Sequence, residues 1–494
     1  MSKPASEPFH LSSSSPPSVA RRRTACPKRS VLSELKTQLR IGIPLVPMNS
    51  TWFAKTAITT AFLGRLGELQ LAAGALGLTF ANVTGFSVLN GLCWAMEPIC
   101  GQAHGADNRR LLHKTLLMTT ILLLLTCIPV AFLWVNVDRI LLFFGQERDI
   151  SLLAKSYVMY LLLDLMATSF LSPLKTYLSS QGNTLPTMLS SGVATALHIP
   201  YNILLSKKMG FRGVALAAGL TDATAATILA SYVILTEERI REGWRAQRVG
   251  HWARLLSLSM QCCLTGCLEW WCYEILVLLA GRMRDARRTV SVLSTVLNFD
   301  YLFYGVLASL ATCASTRVSN ELGAGSSWAA RNAARVSLCA SAVTGLGCGL
   351  AMVALKGQWG YLFSHDEGVV DGARKTLMVM AVVEVFNIPL GTCGGIVRGT
   401  SRPWLGMFSV GGFYFVGLPL SVVLAFKLEL GLSGLLLGFA VGCATSTTLL
   451  CVLIARIDWD GEAMLAKNSS AATAAAAAAG GGLDRDEESL DCGT

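Results

Sequence analysis

The segment LEWWCYEI, residues 268–275, carries two acids inside one of the most apolar parts of the chain. Glu269 lies near the middle of a stretch long enough to cross a bilayer. A charged side chain at that depth costs at least about 2.5–3.5 kcal/mol on insertion scales. We therefore predict that Glu269 binds a proton or a cation and faces a hydrated cavity. The alternative is a structural hydrogen bond to a neighbouring helix.

Glu274 follows Glu269 by five residues, a rotation of about 140° around an α-helix. The two carboxylates cannot share one face, so at most one of them points squarely into a cavity. We predict that Glu269 is the proton site and that Glu274 is a supporting acid. The adjacent Trp270 and Trp271 are typical of packing or interfacial anchors, with cation binding as the alternative.

Glu384 is the corresponding acid of a later apolar segment, MVMAVVEVFNIPLGTCGG. Burial disfavours the charged form of a carboxylate, so such a group can hold a proton in one state and release it in another. That exchange is the physical requirement for an antiporter, whose two ligands must exclude each other. Further acids lie inside apolar segments or at their ends: Glu97, Asp164, Asp222 and Asp300.

Neutral and basic polar groups in apolar segments leave alternatives open. His198, in ALHIPYN, is either a satisfied hydrogen-bonding group or a proton relay. Lys55 either pairs with an acid or extends to the interface, and Glu97 either caps a helix end or takes part in function. We predict that the substrate cavity is lined by His198, Asn202, Trp270, Tyr273, Gln102 and Asp164.

Composition indicates a polytopic membrane protein. The 494 residues are 52% hydrophobic and only 15% charged, against about 25% charged in soluble domains. The net charge of +10 is assigned to membrane orientation and contact with anionic lipid, not to nucleic acid. The cysteines lie in apolar runs without zinc-ligand spacing, so no metal site is expected. Hydrolase and nucleotide-binding motifs are missing from the sequence, which predicts neither an enzyme nor a cofactor.

Apolar stretches of spanning length recur twelve times, and the pattern repeats. The segments QAHGAD and NELGAG, which begin at Gln102 and Asn320, are separated by 218 residues, and other matched motifs recur at nearly the same separation. We interpret the pattern as the duplication of a six-span unit. Because six is an even number, both halves enter the membrane from the same side, and a pseudo-two-fold axis along the membrane normal relates them. The predicted fold is all-α, with twelve transmembrane helices in two six-helix lobes. The predicted spans lie near 41–64, 72–98, 111–135, 152–176, 186–206, 213–235, 254–281, 290–314, 332–355, 373–396, 405–427 and 431–455.

The domain prediction divides the chain into five parts. These are a disordered basic N-terminal tail (1–32), an N-lobe (33–236), a cytosolic inter-lobe loop (237–251), a C-lobe (252–457) and a low-complexity C-terminal tail (458–494). Basic residues concentrate on the side of the termini, which predicts that both termini are cytosolic. The Arg-rich loop GRMRDARR after the seventh span is a counter-signal.

Six motifs together resemble plant multidrug and toxic compound extrusion transporters: MEPICGQAHGA, PLKTYLSSQG, LHIPYN, CLEWWCYEI, STRVSNELGAG and VRG. The resemblance covers roughly 33–457. It implies two six-helix lobes and proton-driven efflux of organic solutes from the cytosol. The family's span-7 glutamate falls on Glu269, with Glu274 as second acid, its span-10 acid on Glu384, and its N-lobe histidine and asparagine on His198 and Asn202.

The leading hypothesis is a proton-coupled antiporter of organic cations, secondary metabolites or hormone-like molecules that works by rocking-bundle alternating access. The proton gradient drives transport, and a monomer in the plasma membrane or an endomembrane is expected. One alternative is a flippase for lipids or amphipathic substrates, which a wide lateral opening between spans would favour. Another is a membrane sensor or scaffold, which predicts that deleting both tails abolishes function.

Overall fold

The computed structural model describes residues 30–236, 249–363 and 366–469, with no side-chain description for 249 and 250. These ranges are built from helices and turns, without a strand. A short helix, Val137–Phe143, joins the third and fourth long segments. The long helical segments, here α1 to α12, are Val31–Leu66, Glu68–Gly105, Arg109–Val135, Arg148–Ser180, Leu185–Met209, Phe211–Thr236, Val249–Ala280, Ala286–Gly323, Ser327–Trp359, Glu367–Gly399, Pro403–Lys427 and Gly431–Ala455.

Each of the twelve predicted spans corresponds to one of these segments, and the all-α membrane fold is confirmed. In the described part of the chain, eleven segments are both long and apolar enough to cross a membrane. The remaining one is α1, which has 36 residues but carries Asn49, Ser50 and Lys55 near its centre. These polar side chains lower its mean hydropathy without shortening it.

Local signals set the helix ends. The side chain of Ser30 accepts a hydrogen bond from the Ser33 backbone N–H at the start of α1, and Asn108 caps α3 in the same way through Leu111. At Gly67, with φ of 134°, the chain reverses between α1 and α2, in a backbone region that side-chain-bearing residues rarely adopt. The connection is short, so consecutive helices lie antiparallel.

The prediction that residues 458–494 form a low-complexity tail is wrong for the beginning of this segment. Residues 459–469 form a helix, and Trp459 and Ala463 pack against Leu450 and Ile454 at the end of α12. Spaced four residues apart, Trp459 and Ala463 lie on one helix face, which the end of α12 covers.

The other domain boundaries shift by a few residues. Helix α1 begins at Val31, inside the predicted N-terminal tail, and α7 begins at Val249, inside the predicted inter-lobe loop. The rest of the predicted tails and loop lies outside the described residues: 1–29, 237–248 and 470–494.

Separate apolar clusters lie in the two halves of the molecule, which we call the N-half and the C-half. Leu123, Tyr157 and Leu161 are fully buried in the N-half, and Phe299 and Phe439 lie at the centre of the C-half core. Both clusters are apolar and are built mainly from the helices of one half, as expected when each half buries a surface of its own.

The first helix of each half crosses to the other half. In α1, Ile41, Leu45 and Met48 pack on Cys313 of α8. In α7, Leu255 joins the core of the N-half. These crossings join the halves at the side of the molecule where α1 begins and where α2 and α8 end, which we call the closed side.

Glycines let the backbones touch at the closed side. A Cβ atom on Gly105 would lie 2.0 Å from the Asn320 carbonyl oxygen, and one on Gly323 would lie 2.2 Å from the Gln102 carbonyl oxygen. Helices α2 and α8 therefore meet without room for a methyl group. We call this contact between the halves the seam.

Gly323→Ala tests the seam. We expect the variant to lose about 1–3 kcal/mol, the usual cost of overpacking, and to unfold at a lower temperature. The matched control is Gly347→Ala in α9, where a Cβ meets nothing within 4 Å and alanine favours the helix. Thermal unfolding of the purified protein measures both. Equal midpoints for the two variants would contradict the close approach.

On the opposite side the halves diverge. Residues 68–81, the first part of α2, pack on α1 and α4 of their own half, whereas the later part approaches α7, where a Cβ on Gly91 would lie 2.7 Å from the Cys263 Cα. Between these contacts, Trp52 of α1, Trp270 of α7 and Tyr304 of α8 stay partly exposed where the halves face each other, and we call this region the cleft.

Candidate functional site

Four aromatic rings form the floor of the cleft. Trp52 of α1 lies 6.1 Å from each of Trp270, Tyr301 and Tyr304, measured between ring centroids, and Trp270 lies 5.2 Å from Tyr304. The pairs are edge-to-face, and all four side chains keep part of their surface exposed. A ring from the N-half thus contacts three rings from the C-half.

Glu269 lies beside this aromatic floor. Its side chain is exposed and has no hydrogen bond or ion pair with any group in the described ranges, although Tyr304 and Arg398 lie within electrostatic range. Trp271, exposed on the outer surface, is about 160° away around α7. Glu269 therefore faces the cleft, and the structure leaves its carboxylate open to a ligand.

Arg398, which lies within electrostatic range of Glu269, joins the two halves. Its Nε atom is 3.0 Å from Glu97 Oε2, and its guanidinium lies 4.8 Å from the Trp94 ring centroid. Because Arg398 belongs to α10 and both partners belong to α2, the ion pair and the stacking contact join the two halves. Of the two alternatives for Glu97, the structure shows an inter-half ion pair and not a helix cap.

Glu274 occupies different surroundings. It is half-buried and lies about 60° from Trp271 around the helix. Its carboxylate is within electrostatic range of Tyr301. The two acids of LEWWCYEI are thus placed on different faces of α7, as the rotation between them predicts.

Glu384 pairs with another acid, not with Glu269. It is 1% exposed and lies within hydrogen-bonding reach of Asp300, which is 5% exposed. Helices α8 and α10 form one of the most extensive contacts in the C-half. The Tyr273 hydroxyl, 3.3 Å from Asn387 Nδ2, links α7 to the same region.

A lysine forms ion pairs with two acids of the N-half. Lys55 Nζ is 2.8 Å from Asp222 Oδ2 and 3.6 Å from Asp164 Oδ2, and Lys175 lies within electrostatic range of Asp222. The pairing alternative for Lys55 is therefore the one observed. Asp164, predicted to line the cavity, is 4% exposed and belongs to this ion cluster.

His198 and Asn202 are fully buried inside the N-half. His198 Nδ1 is 2.8 Å from Thr221 Oγ1, its Nε2 is 3.1 Å from Thr59 Oγ1, and the Asn202 amide lies 3.1 Å from the same Nε2. Both ring nitrogens thus have partners. This conformation keeps the pair away from the cleft that we expected it to line.

Gln102 lies in the seam. Its amide nitrogen donates to Ser401 Oγ at 3.0 Å, and its oxygen accepts from Arg254 at 3.2 Å. Because these contacts occupy both ends of the amide, Gln102 connects α2 to the C-half and does not line the cleft. Of the predicted cavity residues, Trp270 lies in the cleft floor, whereas Tyr273 contacts Asn387 and Phe439 inside the C-half.

Sequence reasoning missed three aromatic residues and underrated one acid. Trp52, Tyr301 and Tyr304 are ordinary in apolar segments, and only packing brings them together. Asp300 was visible as an intramembrane acid, but nothing in the sequence pairs it with Glu384. Within the described residues, no group of three or more His, Cys, Asp or Glu side chains could hold a metal ion.

These features define a multi-pass membrane protein with two helical halves, a cleft between them and ionisable groups inside both. Such an arrangement is typical of secondary transporters, whose substrate sites lie between structural repeats.

Comparison with known proteins agrees with this class. A MatE family model matches residues 44–204 and 262–423, one segment in each predicted lobe. Protein DETOXIFICATION 56 of Arabidopsis thaliana is 53% identical over 443 residues, which cover 88% of this chain and 90% of that protein. Protein DETOXIFICATION 48 of the same plant is 38% identical over 442 residues, covering 88% and 83%. The chain belongs to the MatE family of multidrug and toxic compound extrusion transporters.

Solved structures show the same fold. The crystal structure of the eukaryotic MATE transporter AtDTX14 matches with a TM-score of 0.84 and 29% identity, over 89% of this chain and 99% of that one. The Vibrio cholerae MATE transporter VcmN in its bent form matches with a TM-score of 0.75 at 15% identity, over 89% and 98%. The relatives are transporters, which confirms the prediction that the chain is not an enzyme.

Proposed function

We propose that the protein is a proton-coupled antiporter that exports organic solutes from the cytosol by alternating access. The observation that best supports this proposal is the position of Glu269 at the floor of the cleft between the halves. This intramembrane carboxylate has no hydrogen bond or ion pair to a described group. A charge at that depth is costly, and an incoming ligand or proton removes the cost. The proton gradient supplies the energy, and no cofactor takes part.

The proposed solutes are organic cations, secondary metabolites or hormone-like molecules. A carboxylate beside four partly exposed rings combines a negative charge with flat apolar surface, which suits a solute with a ring system and a positive or polar group. The DETOXIFICATION names of the relatives agree with this range without selecting one compound.

The proposed orientation places the closed side in the cytosol. Basic residues follow α2 and α6 and precede α1, which favours the cytosol for that side. The conformation described here is then open away from the cytosol, in the plasma membrane or an endomembrane. We propose that a monomer is sufficient, since each half contributes to the same cleft.

Transport in proteoliposomes tests the function. Purified protein is reconstituted with the pH gradient set by buffer exchange, and a panel of organic cations and plant secondary metabolites is screened. We expect uptake against the solute gradient that collapses when a protonophore dissipates the pH difference. Solute flux that ignores the gradient would reject proton coupling, and transbilayer movement of labelled lipid alone would instead favour the flippase alternative.

A further inference from the structure

The helix at residues 459–469, here α13, buries one of its faces at the closed side. Trp459, Ala463 and Ala466 lie on this face, and each is at most 7% exposed. They belong to an apolar cluster that also contains the adjoining parts of α8, α9, α10 and α12. Because the ends of α8, α10 and α12 lie at the closed side, α13 covers that side of the C-half.

Polar contacts attach both ends of α13 to other elements. Near its start, Asp460 accepts a hydrogen bond from Ser327 Oγ of α9, and the carboxylate of Glu462, which is 6% exposed, pairs with Arg402 after α10. At its end, Ser469 Oγ accepts a hydrogen bond from the Arg254 guanidinium of α7. The helix therefore links three elements that are separate along the chain.

The two groups that grip Gln102 of the N-half are both held by α13. Gln102 Nε2 donates to Ser401 Oγ at 3.0 Å, and Ser401 is bonded along the chain to Arg402, the ion-pair partner of α13. Gln102 Oε1 accepts from Arg254 at 3.2 Å, and the same guanidinium binds Ser469. The polar contacts thus form a ring that begins and ends on α13 and passes through one side chain of the opposite half.

Neither grip is held firmly by local structure alone. Ser401 has φ of 61°, a left-handed conformation that residues other than glycine rarely adopt and that persists when surrounding contacts hold it. Arg254 is half-buried, and its hydrogen-bond partners in the described part of the chain, Gln102 and Ser469, are neutral. Both positions therefore depend on neighbours, and α13 supplies a neighbour to each.

We propose that α13 is a strap that stabilises the closed side and loosens before that side opens. When the halves separate at the seam, Gln102 moves with the N-half, whereas Ser401 stays with the C-half and the ring must break. Loosening of α13 frees both grips on Gln102 and shifts the equilibrium towards the state open on this side. The proposal rests on alternating access as part of the proposed function, and not on proton coupling or on the solute.

The full-length double variant Glu462→Gln with Ser469→Ala tests the strap. It removes both polar attachments and leaves Gln102 and its two partners in place. Hydrogen–deuterium exchange of residues 459–469 reports whether α13 has loosened. Maleimide labelling of Cys313, which is 3% exposed at the closed side, reports whether that side opens. We expect both rates to rise, with labelling roughly three- to tenfold faster, as partly exposed polar contacts of this kind allow.

Two further variants act as controls. Ser469→Ala alone changes only the end of the helix, and we expect a smaller rise in both rates in a protein that folds normally. Asp371→Asn removes an exposed ion pair with Lys375 at the start of α10, on the opposite side of the molecule, and should leave both rates native. Cys443, buried in the C-half core, should stay protected throughout, which excludes unfolding as the cause.

Three results would overturn the strap. The first is faster exchange in α13 with native labelling of Cys313, and the second is native exchange in α13 after both attachments are removed. The third concerns the outward face, where Met464 and Leu465 are 66% and 58% exposed. If Met464→Gln with Leu465→Gln raises labelling and the Glu462 and Ser469 changes do not, α13 is an interfacial anchor only.

Labelling does not depend on transport, so failure of the strap and failure of the proposed function give different results. Faster Cys313 labelling in the double variant of a protein that shows no pH-driven solute accumulation would support the strap and reject proton-coupled antiport. Native Cys313 labelling in the double variant of a protein that accumulates solute in response to a pH gradient would overturn the strap and leave antiport standing.

Discussion

Glu269→Gln is expected to weaken solute binding roughly ten- to hundredfold. A hydrogen bond to a charged group contributes about 1.5–3 kcal/mol, and each 1.4 kcal/mol is tenfold in affinity. Glutamine keeps the shape of the side chain and removes its charge. Since Glu269 makes no hydrogen bond or ion pair to a described group of the protein, its loss leaves no partner stranded, and the fold should persist. The binding constant of a transported cation, measured by calorimetry, gives the effect.

Glu274→Gln is the matched control for this experiment. The residue lies five positions along the same helix and carries the same charge, but it is half-buried on another face. We expect its affinity for the solute to stay within about threefold of the native value. Native affinity in Glu269→Gln, or an equal loss in both variants, would contradict the assignment of Glu269 to the cleft.

Arg317→Ala is expected to open the closed side. Arg317 Nε and Nη2 bind the two carboxylate oxygens of Glu34 at 2.8 and 2.9 Å, joining α8 to α1. Both side chains are buried, and removal of one partner of such a pair costs about 3–5 kcal/mol. Since the pair joins the halves at the closed side, that cost falls on the conformation in which this side is closed. The population should shift towards the state open on that side.

Native cysteines report the shift. Cys313 is 3% exposed, and its Sγ atom is 3.4 Å from the Gln38 carbonyl oxygen across the seam. We expect Arg317→Ala to increase maleimide labelling of Cys313, resolved by mass spectrometry. Cys443, buried in the C-half core, should stay protected. A parallel rise at both cysteines would indicate unfolding, and no rise at Cys313 would remove Arg317 from the seam.

The charge-neutral double variant Glu34→Gln with Arg317→Ala refines this result. It also removes the charge of Glu34, one of the two carboxylates that Arg317 pairs with, so part of the lost stability should return. Cys313 labelling should stay high because the link between the halves is still missing. Restored protection would mean that repulsion by Glu34, and not the lost contact, opens the single variant.

Sequence alone predicted the helices and the division of the two acids in α7. Apolar stretches of spanning length leave little choice of structure in a bilayer, because every backbone group must bond within the segment. The five-residue spacing of Glu269 and Glu274 fixes their rotation once α7 is a helix. Both results depend on local geometry, which the sequence determines directly.

The site required contacts that no local pattern contains. Asp300 and Glu384 meet only because α8 packs along α10, and the sequence offers several other acids as partners. Gln102 seemed to be a cavity residue because it is polar in an apolar segment, but an inter-half seam needs such groups as much as a cavity does. Periodicity gives the face of a helix and not the neighbour that covers it.

The helix at residues 459–469 was within reach of sequence reasoning. Trp459, Ala463 and Ala466 recur at the i, i+4, i+7 spacing of a buried helix face. Because the sequence further along is rich in alanine, the whole segment 458–494 was interpreted as low-complexity. The boundary between ordered and low-complexity sequence lay inside the segment, not at its start.

The position of Glu269 sets a limit on how far a solute can be concentrated. A single exposed carboxylate that takes up a proton and a solute in alternation exchanges one proton for one solute in each cycle of the proposed mechanism. Exchange of one proton for one monovalent cation moves no net charge, so the membrane voltage contributes nothing to the driving force. Each pH unit is worth about 1.36 kcal/mol, or a factor of ten. The steepest solute gradient the protein can sustain is therefore about tenfold per pH unit across its membrane.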